Sequence, residues 1–269
     1  MLSKTVVLGG DLEVPRLGFG AMRLSGGPDS ADGVAVARRA IELGVRFLDT
    51  ADSYDLGENE ALLAEALHPY PDDLVIATKG GQVNLGSDWI PLGRPEYLRQ
   101  QAELSLRRLR LDRIELYQLH RVDPKVPLAD QLGALRTLQD EGKVRHIGLS
   151  EVTVEQLEEA RGIMPIAAVQ NLYNLTNRRS EDVLEYCERN GIVFIPWLPV
   201  APSVRHGSTQ VDTVARRHGA SPAQVALAWL LHRSPIILPI PGTSSIKHLE
   251  ENLNAVEVHL TPDDLTLLD

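Results

Sequence analysis

Leu74-Val75-Ile76-Ala77-Thr78-Lys79 is the stretch whose reading decides the fold. Four apolar residues, a threonine and then an amine are too few for a helix and lack the polar alternation of a half-exposed strand. The run reads as a strand covered on both faces, with a charged group at its carboxyl end. The pattern returns at residues 46–49, 114–120, 144–150, 167–170, 192–197 and 236–240, with 17–20 a weaker first member. Between these runs the period changes to that of helices. Leu98, Ala102, Leu106 and Leu109 form one apolar stripe, and Leu128, Leu132, Leu135 and Leu138 another. Ser221-Pro222-Ala223-Gln224 combines an N-cap, a proline at the first helical position and a capping-box glutamine. Gly44, Gly142 and Gly219 stand where helices should stop.

Eight strand–helix units in series predict a (β/α)8 barrel, with a doubly wound sheet as the alternative. A dinucleotide-binding turn would have to be Gly18-Phe19-Gly20-Ala21-Met22-Arg23, which lacks the third glycine and has no good helix directly after it. The barrel is therefore preferred. Residues 5–8 and 12–14, around Gly9-Gly10-Asp11, predict a hairpin ahead of the first barrel strand. No low-complexity tract, charge block or linker interrupts residues 1–269, so one domain is expected, at a length that α/β barrels reach.

Composition narrows the function classes. Apolar residues make up 43% and charged residues 24%, which excludes a disordered or collagen-like chain. No apolar run approaches the roughly 18 residues of a membrane span, and residues 1–5 carry no signal-peptide core. The single cysteine, Cys187, excludes an intrachain disulfide and a cysteine-rich zinc site, so a reducing cytoplasm is expected. Cys187 shares a stripe with Val183 and Leu184 and reads as a buried apolar residue. A net charge of −10 argues against nucleic acid or an anionic membrane as partner. The pairs Arg38/Arg39, Arg107/Arg108 and Arg216/Arg217 read as solvated helix faces. Composition says nothing about oligomeric state.

In a barrel, polar residues at the carboxyl ends of strands line the active site. Those ends carry Asp49, Lys79, His120, Ser150, Gln170 and Trp197, with Tyr54 close behind Asp49. A phenol ordinarily titrates near pH 10 and is a poor proton donor or acceptor at neutrality. Bringing it to about 7–8 takes roughly 3–4 kcal/mol, which one ammonium at about 4 Å supplies at an effective dielectric near 20. Lys79 is expected to be that ammonium, Asp49 its counter-ion, and His120 the hydrogen-bonding partner of the atom that takes the proton. Such parts suit reduction of a carbonyl by hydride transfer.

Phe47-Leu48-Asp49-Thr50-Ala51-Asp52-Ser53-Tyr54, Ile76-Ala77-Thr78-Lys79 and Leu116-Tyr117-Gln118-Leu119-His120 together resemble the aldo-keto reductase family over nearly all of residues 17–252. The resemblance implies Tyr54 as general acid, Lys79 and Asp49 tuning it, and His120 orienting the carbonyl of a small-molecule substrate. It implies NADPH/NADP+ as cofactor, with Ser150, Glu151 and Gln170 at the nicotinamide carboxamide. Trp197, followed by Leu198 and Pro199, would stack on the nicotinamide. Gly242, Thr243, Ser244, His248, Glu251 and Asn252 would grip the adenosine 2′-phosphate and adenine. Many family members carry Lys at the Gly242 position, Arg at the His248 position and Asn at the Glu151 position. Glu151 is expected either to face the oxidised nicotinamide or to turn outward and cap a helix near Thr153. The short loop 25–29 suggests an open mouth, and the Gly-Thr-Ser-Ser segment resembles a bacterial branch that includes pyridoxal-reducing enzymes.

Two other readings compete. A cofactor-binding barrel with little turnover would resemble the potassium-channel β subunits. A metal-dependent hydrolase would use Asp49, Asp52 and Asp55, but lacks the paired histidines such sites recruit. No metal is expected.

Overall fold

The computed structural model describes residues 4–25, 30–86, 88–205 and 209–269. Loop residues 26–29, on which the expectation of an open mouth rested, lie outside them. The chain opens with the expected hairpin, β1 (Thr5–Leu8) paired antiparallel to β2 (Leu12–Pro15). Then come β3 (Phe19–Gly20), α1 (Ser30–Glu42), β4 (Phe47–Asp49), α2 (Glu58–Leu67), β5 (Val75–Gly80), β6 (Gln82–Asn84), β7 (Trp89–Pro91), α3 (Pro95–Leu109) and β8 (Ile114–Leu119). The second half runs α4 (Leu128–Asp140), β9 (Val144–Ser150), α5 (Val154–Ile163), β10 (Ala168–Gln170), α6 (Glu181–Asn190), β11 (Val193–Phe194), α7 (Pro202–Arg205), α8 (Thr209–His218), α9 (Pro222–Arg233), α10 (Ile246–Leu253) and α11 (Pro262–Leu268).

Seven of the strands form one parallel sheet in the order β11-β10-β9-β8-β5-β4-β3. Residues 236–240, expected as the eighth strand, close the ring without a full ladder. Phe194 N–H donates to the Ile236 carbonyl at 3.0 Å, Leu238 N–H to Phe194 at 2.9 Å, and Gly18 N–H to Pro239 at 2.9 Å. Prolines 235, 239 and 241 have no N–H to give a ladder, so only isolated bonds remain. Pro196 likewise helps cut the 192–197 run short at Phe194.

The hairpin seals the bottom of the barrel. Val6, Leu8 and Val14 pack with Phe47, Val75, Leu116, Ala168, Val193 and Leu238 as the interior core. Arg16 fastens it, its buried guanidinium donating to the carbonyls of Leu231 at 2.8 Å, Ser234 at 2.5 Å and Ile237 at 3.2 Å. The leucine stripes of α3 and α4 are buried as expected, as is Cys187, whose thiol burial pushes up to about 12. Ser221 makes the capping box with Gln224, and Gly44, Gly142 and Gly219 take positive φ after α1, α4 and α8. The pair β6–β7, absent from the sequence expectation, projects Gln82 and Trp89 over the barrel mouth.

Candidate active site

The carboxyl ends of the strands surround a cavity of about 730 Å³. At its base, Asp49 ends β4 and Lys79 lies on the neighbouring β5, and both side chains are almost wholly buried. Lys79 Nζ donates to Asp49 Oδ1 at 2.6 Å, to the Thr50 carbonyl at 2.8 Å and to the Tyr54 hydroxyl at 3.1 Å. The other carboxylate oxygen, Oδ2, accepts from Gln118 Nε2 at 3.1 Å and Gln170 Nε2 at 2.9 Å. Gly148 makes room for Gln118, since a Cβ there would lie 2.9 Å from its Cγ. A buried ion pair holds only when its remaining bonds are satisfied, and this one meets that condition.

Tyr54 opens a short turn after β4 in which Asp55 and Leu56 adopt left-handed backbone, at φ 49° and 53°. Its ring packs edge-on against His120, with centroids 5.8 Å apart, and against Trp89 at 6.4 Å. Here the expected tuning is corrected. Burial raises the Tyr54 pKa above its ordinary 10 and outweighs the opposing Lys79 charge, while Asp49 pushes it further up. The ammonium does not ionise the resting phenol. It occupies a lone pair of the hydroxyl oxygen, and because an ammonium accepts nothing, the phenolic hydrogen is left to point elsewhere.

His120 follows β8 and is buried. Burial, then the charges of Lys79 and Arg121, holds its pKa well below 6.5, so the ring is neutral at pH 7. Its Nδ1 lies 3.3 Å from Ser53 Oγ, and with Ser53 as donor the hydrogen sits on Nε2.

Ser150, Gln170 and Trp197 all line the cavity, as do Leu198, Pro199 and Gly242. Glu151 corrects the helix-cap alternative: Thr153, with Gln156, caps α5 instead. Held at φ 54°, Glu151 directs Oε1 to the Trp197 indole N–H and the Leu172 amide, each at 2.7 Å, and Oε2 to Arg179. The carboxylate thus anchors the indole. The missing lysine at 242 has a backbone cause, since a Cβ there would lie 2.5 Å from the Gly20 carbonyl oxygen where the barrel closes.

Beyond the cavity, Ser245 caps α10 by accepting from the His248 amide at 3.5 Å, and its own amide donates to Thr243 Oγ1 at 3.1 Å. Ser244 and Lys247 are exposed there, with His248 and Glu251 half-buried. Asn252 is buried, and its Nδ2 has no partner among the described residues. A donor-rich helix start beside an orphaned buried amide fits an anionic, base-bearing cofactor. Among the described residues no group of three or more His, Cys, Asp or Glu is placed to hold a metal ion.

Sequence reasoning missed Trp89, Gln118 and Arg121. A hairpin tryptophan and a mid-strand glutamine carry no local signal, whereas Arg121, directly after His120 at a strand end, could have been found.

The aldo/keto reductase family model matches residues 16–269. An oxidoreductase of Schizosaccharomyces pombe is 48% identical over 268 residues, covering 97% of this chain and 87% of that protein. Pyridoxine 4-dehydrogenase of Escherichia coli is 40% identical, covering 100% and 98%. The crystal structure of an aldo-keto reductase from Klebsiella pneumoniae in complex with NADPH superposes with a TM-score of 0.87 at 28% identity, over 100% of this chain and 95% of that one. The chain belongs to the aldo/keto reductase family.

Proposed function

We propose that Tyr54, Lys79, Asp49 and His120 are the catalytic group of an NADPH-dependent reductase that converts an aldehyde or ketone to an alcohol. The observation that carries this reading is the Lys79 ammonium, bonded at once to Asp49 and to the Tyr54 hydroxyl in a buried site. When bound, the reduced nicotinamide supplies the hydride to the carbonyl carbon. Tyr54 carries its proton at neutral pH and offers it to the carbonyl oxygen, while His120 Nε2–H hydrogen-bonds the same atom. As the proton leaves, the phenolate forms beside Lys79, whose positive charge then stabilises it in a dry site. Asp49 keeps that lysine charged and in place.

Ser150 and Gln170 hold the carboxamide, and Trp197 with Leu198 and Pro199 flanks the ring. Glu151 acts through Trp197, whose indole it fixes. Thr243, Ser244 and the α10 amides take the 2′-phosphate, with Gly242 allowing the close backbone approach. Asn252 serves the adenine, flanked by His248 and Glu251. The fit to NADPH rests on that cradle and on the orphaned Asn252 amide. The protein works as one barrel domain in a reducing cytoplasm, supported by its single, buried cysteine. Among the described residues no helix is long and apolar enough to cross a membrane.

A panel of aldehydes and ketones with NADPH and with NADH, followed by loss of reduced-nicotinamide absorbance, tests the reading. Turnover preferring NADPH is expected, with a margin that salt narrows because a hydroxyl-and-amide cradle replaces two cations. No turnover of any carbonyl would sink it.

A further inference from the structure

The cavity holds a cation that makes no ion pair with a carboxylate among the described residues. Arg121 follows His120 at the end of β8 and lines the same space as Tyr54. Its Nη1 is fixed, donating to the His120 carbonyl at 2.5 Å and to Ser150 Oγ at 3.0 Å. Nε and Nη2 make no hydrogen bond among the described residues. Glu151 acts on it through space, but that carboxylate is already held by Trp197, Leu172 and Arg179.

Other well-covered cations differ. Lys79 has Asp49, Arg108 has Glu60, and Arg16 donates to three carbonyls. Burial draws the Arg121 pKa below its ordinary value, as it does that of Arg16. Arg23, exposed on the same rim, adds a second positive charge to the mouth of a chain whose net charge is −10. Such a local field attracts anions against the overall charge.

We propose that Arg121 recognises a negatively charged substituent, a carboxylate or a phosphate, on the carbonyl substrate. The inference rests on the reductase reading above. Arg121 sits beside His120 and within the electrostatic reach of Tyr54, so an anion on its open edge belongs to the molecule whose carbonyl those two residues address. The cofactor phosphates have their own donors around Thr243 and Ser244. The guanidinium fork matches either anion in bidentate fashion.

The probes are 4-carboxybenzaldehyde and its methyl ester, nearly equal in shape and different in charge. In Arg121→Gln, the kcat/KM ratio of acid to ester should fall about 10- to 100-fold, as loss of a charge-assisted bond implies, mainly through KM. Arg121→Lys should recover part of the ratio. An unchanged ratio or an equal loss on both aldehydes would each overturn the assignment. If the unaltered protein reduces neither aldehyde, the reductase reading fails. Arg121 is then still tested by tryptophan fluorescence, titrating both aldehydes into protein loaded with NADP+, which cannot reduce them. Tighter binding of the acid that Arg121→Gln abolishes upholds the site, and equal binding of acid and ester refutes it.

Discussion

Two buried polar groups lie on opposite faces of the same two strands, and they are built by different rules. Inside the barrel, Lys79 of β5 meets Asp49, and Gln118 of β8 completes the carboxylate's bonds. One residue earlier on each strand, Thr78 and Tyr117 face the helices instead. Thr78 donates to Glu60 of α2 at 2.5 Å, and Arg108 of α3 reaches the same carboxylate at 2.7 Å. In this outer layer Asp52 Oδ1, Ser105 Oγ, Arg108 Nη2 and the Tyr117 hydroxyl are buried without partners among the described residues. Inside, every polar atom of the charged Lys79–Asp49 pair is engaged, because an unpaired buried charge would drift from its position or lose its charge. Among the described residues only the neutral Gln118 Oε1 of this group lacks a partner. Outside, incomplete pairing costs stability but touches no chemistry. Burial, then the charge of Glu60, raises the Asp52 pKa to about 7.

The largest effect is expected from a substitution on the inner side. Tyr54→Phe removes the proton donor and keeps the ring, so kcat should fall by about 10²–10⁴-fold with cofactor affinity nearly unchanged. Steady-state kinetics with a fluorescence titration of NADPH measures both. Retained turnover would mean that the inner group is structural, like the outer one.

The second effect concerns pH. Unfolded, the Asp52 carboxyl ionises near 4; folded, it stays neutral up to about 7. The native state therefore binds the extra proton, and stability falls as pH rises from about 4 to 7. The full penalty above pH 7 is a few kcal/mol. Asp52→Asn cannot titrate, so its Tm relative to the parent should climb between pH 4 and 8. A constant difference in thermal unfolding across that range would show that Arg108 already neutralises Asp52.

The smallest effect should come from Tyr117→Phe. Its hydroxyl is buried and unpartnered, so deleting it should shift stability by no more than about 1 kcal/mol, toward a higher Tm. A clear loss on denaturant unfolding would reveal that the outer layer is paired after all.

Much of this was legible along the chain. Strand runs ending in Asp49, Lys79, His120, Ser150 and Gln170 are local patterns, and alternation through a parallel sheet brings their ends to one rim whatever the loops do. The capping box at Ser221 and the glycine stops are equally local. The last strand was harder, because its prolines leave apolar character intact while removing the donors that make a ladder. Arg108 read as a solvated helix residue, yet it reaches a fully buried glutamate on the neighbouring helix. Pair spacing along α3 carries no sign of Glu60.

By itself, then, the sequence determined the barrel and its hairpin plug and singled out the four side chains proposed as catalytic, since periodicity and strand-end chemistry are properties of neighbouring residues. Tertiary structure decided the rest. Whether Lys79 would lower the Tyr54 pKa depended on how deeply the phenol was buried and on an aspartate thirty residues from the lysine. Where Glu151 would point depended on donors from Leu172, Arg179 and Trp197, carried by three later segments. Gly242 could carry no lysine because Gly20, more than two hundred residues away, lies against it at the closing seam. These outcomes are balances between burial and distance, and neither quantity exists until the chain has closed on itself.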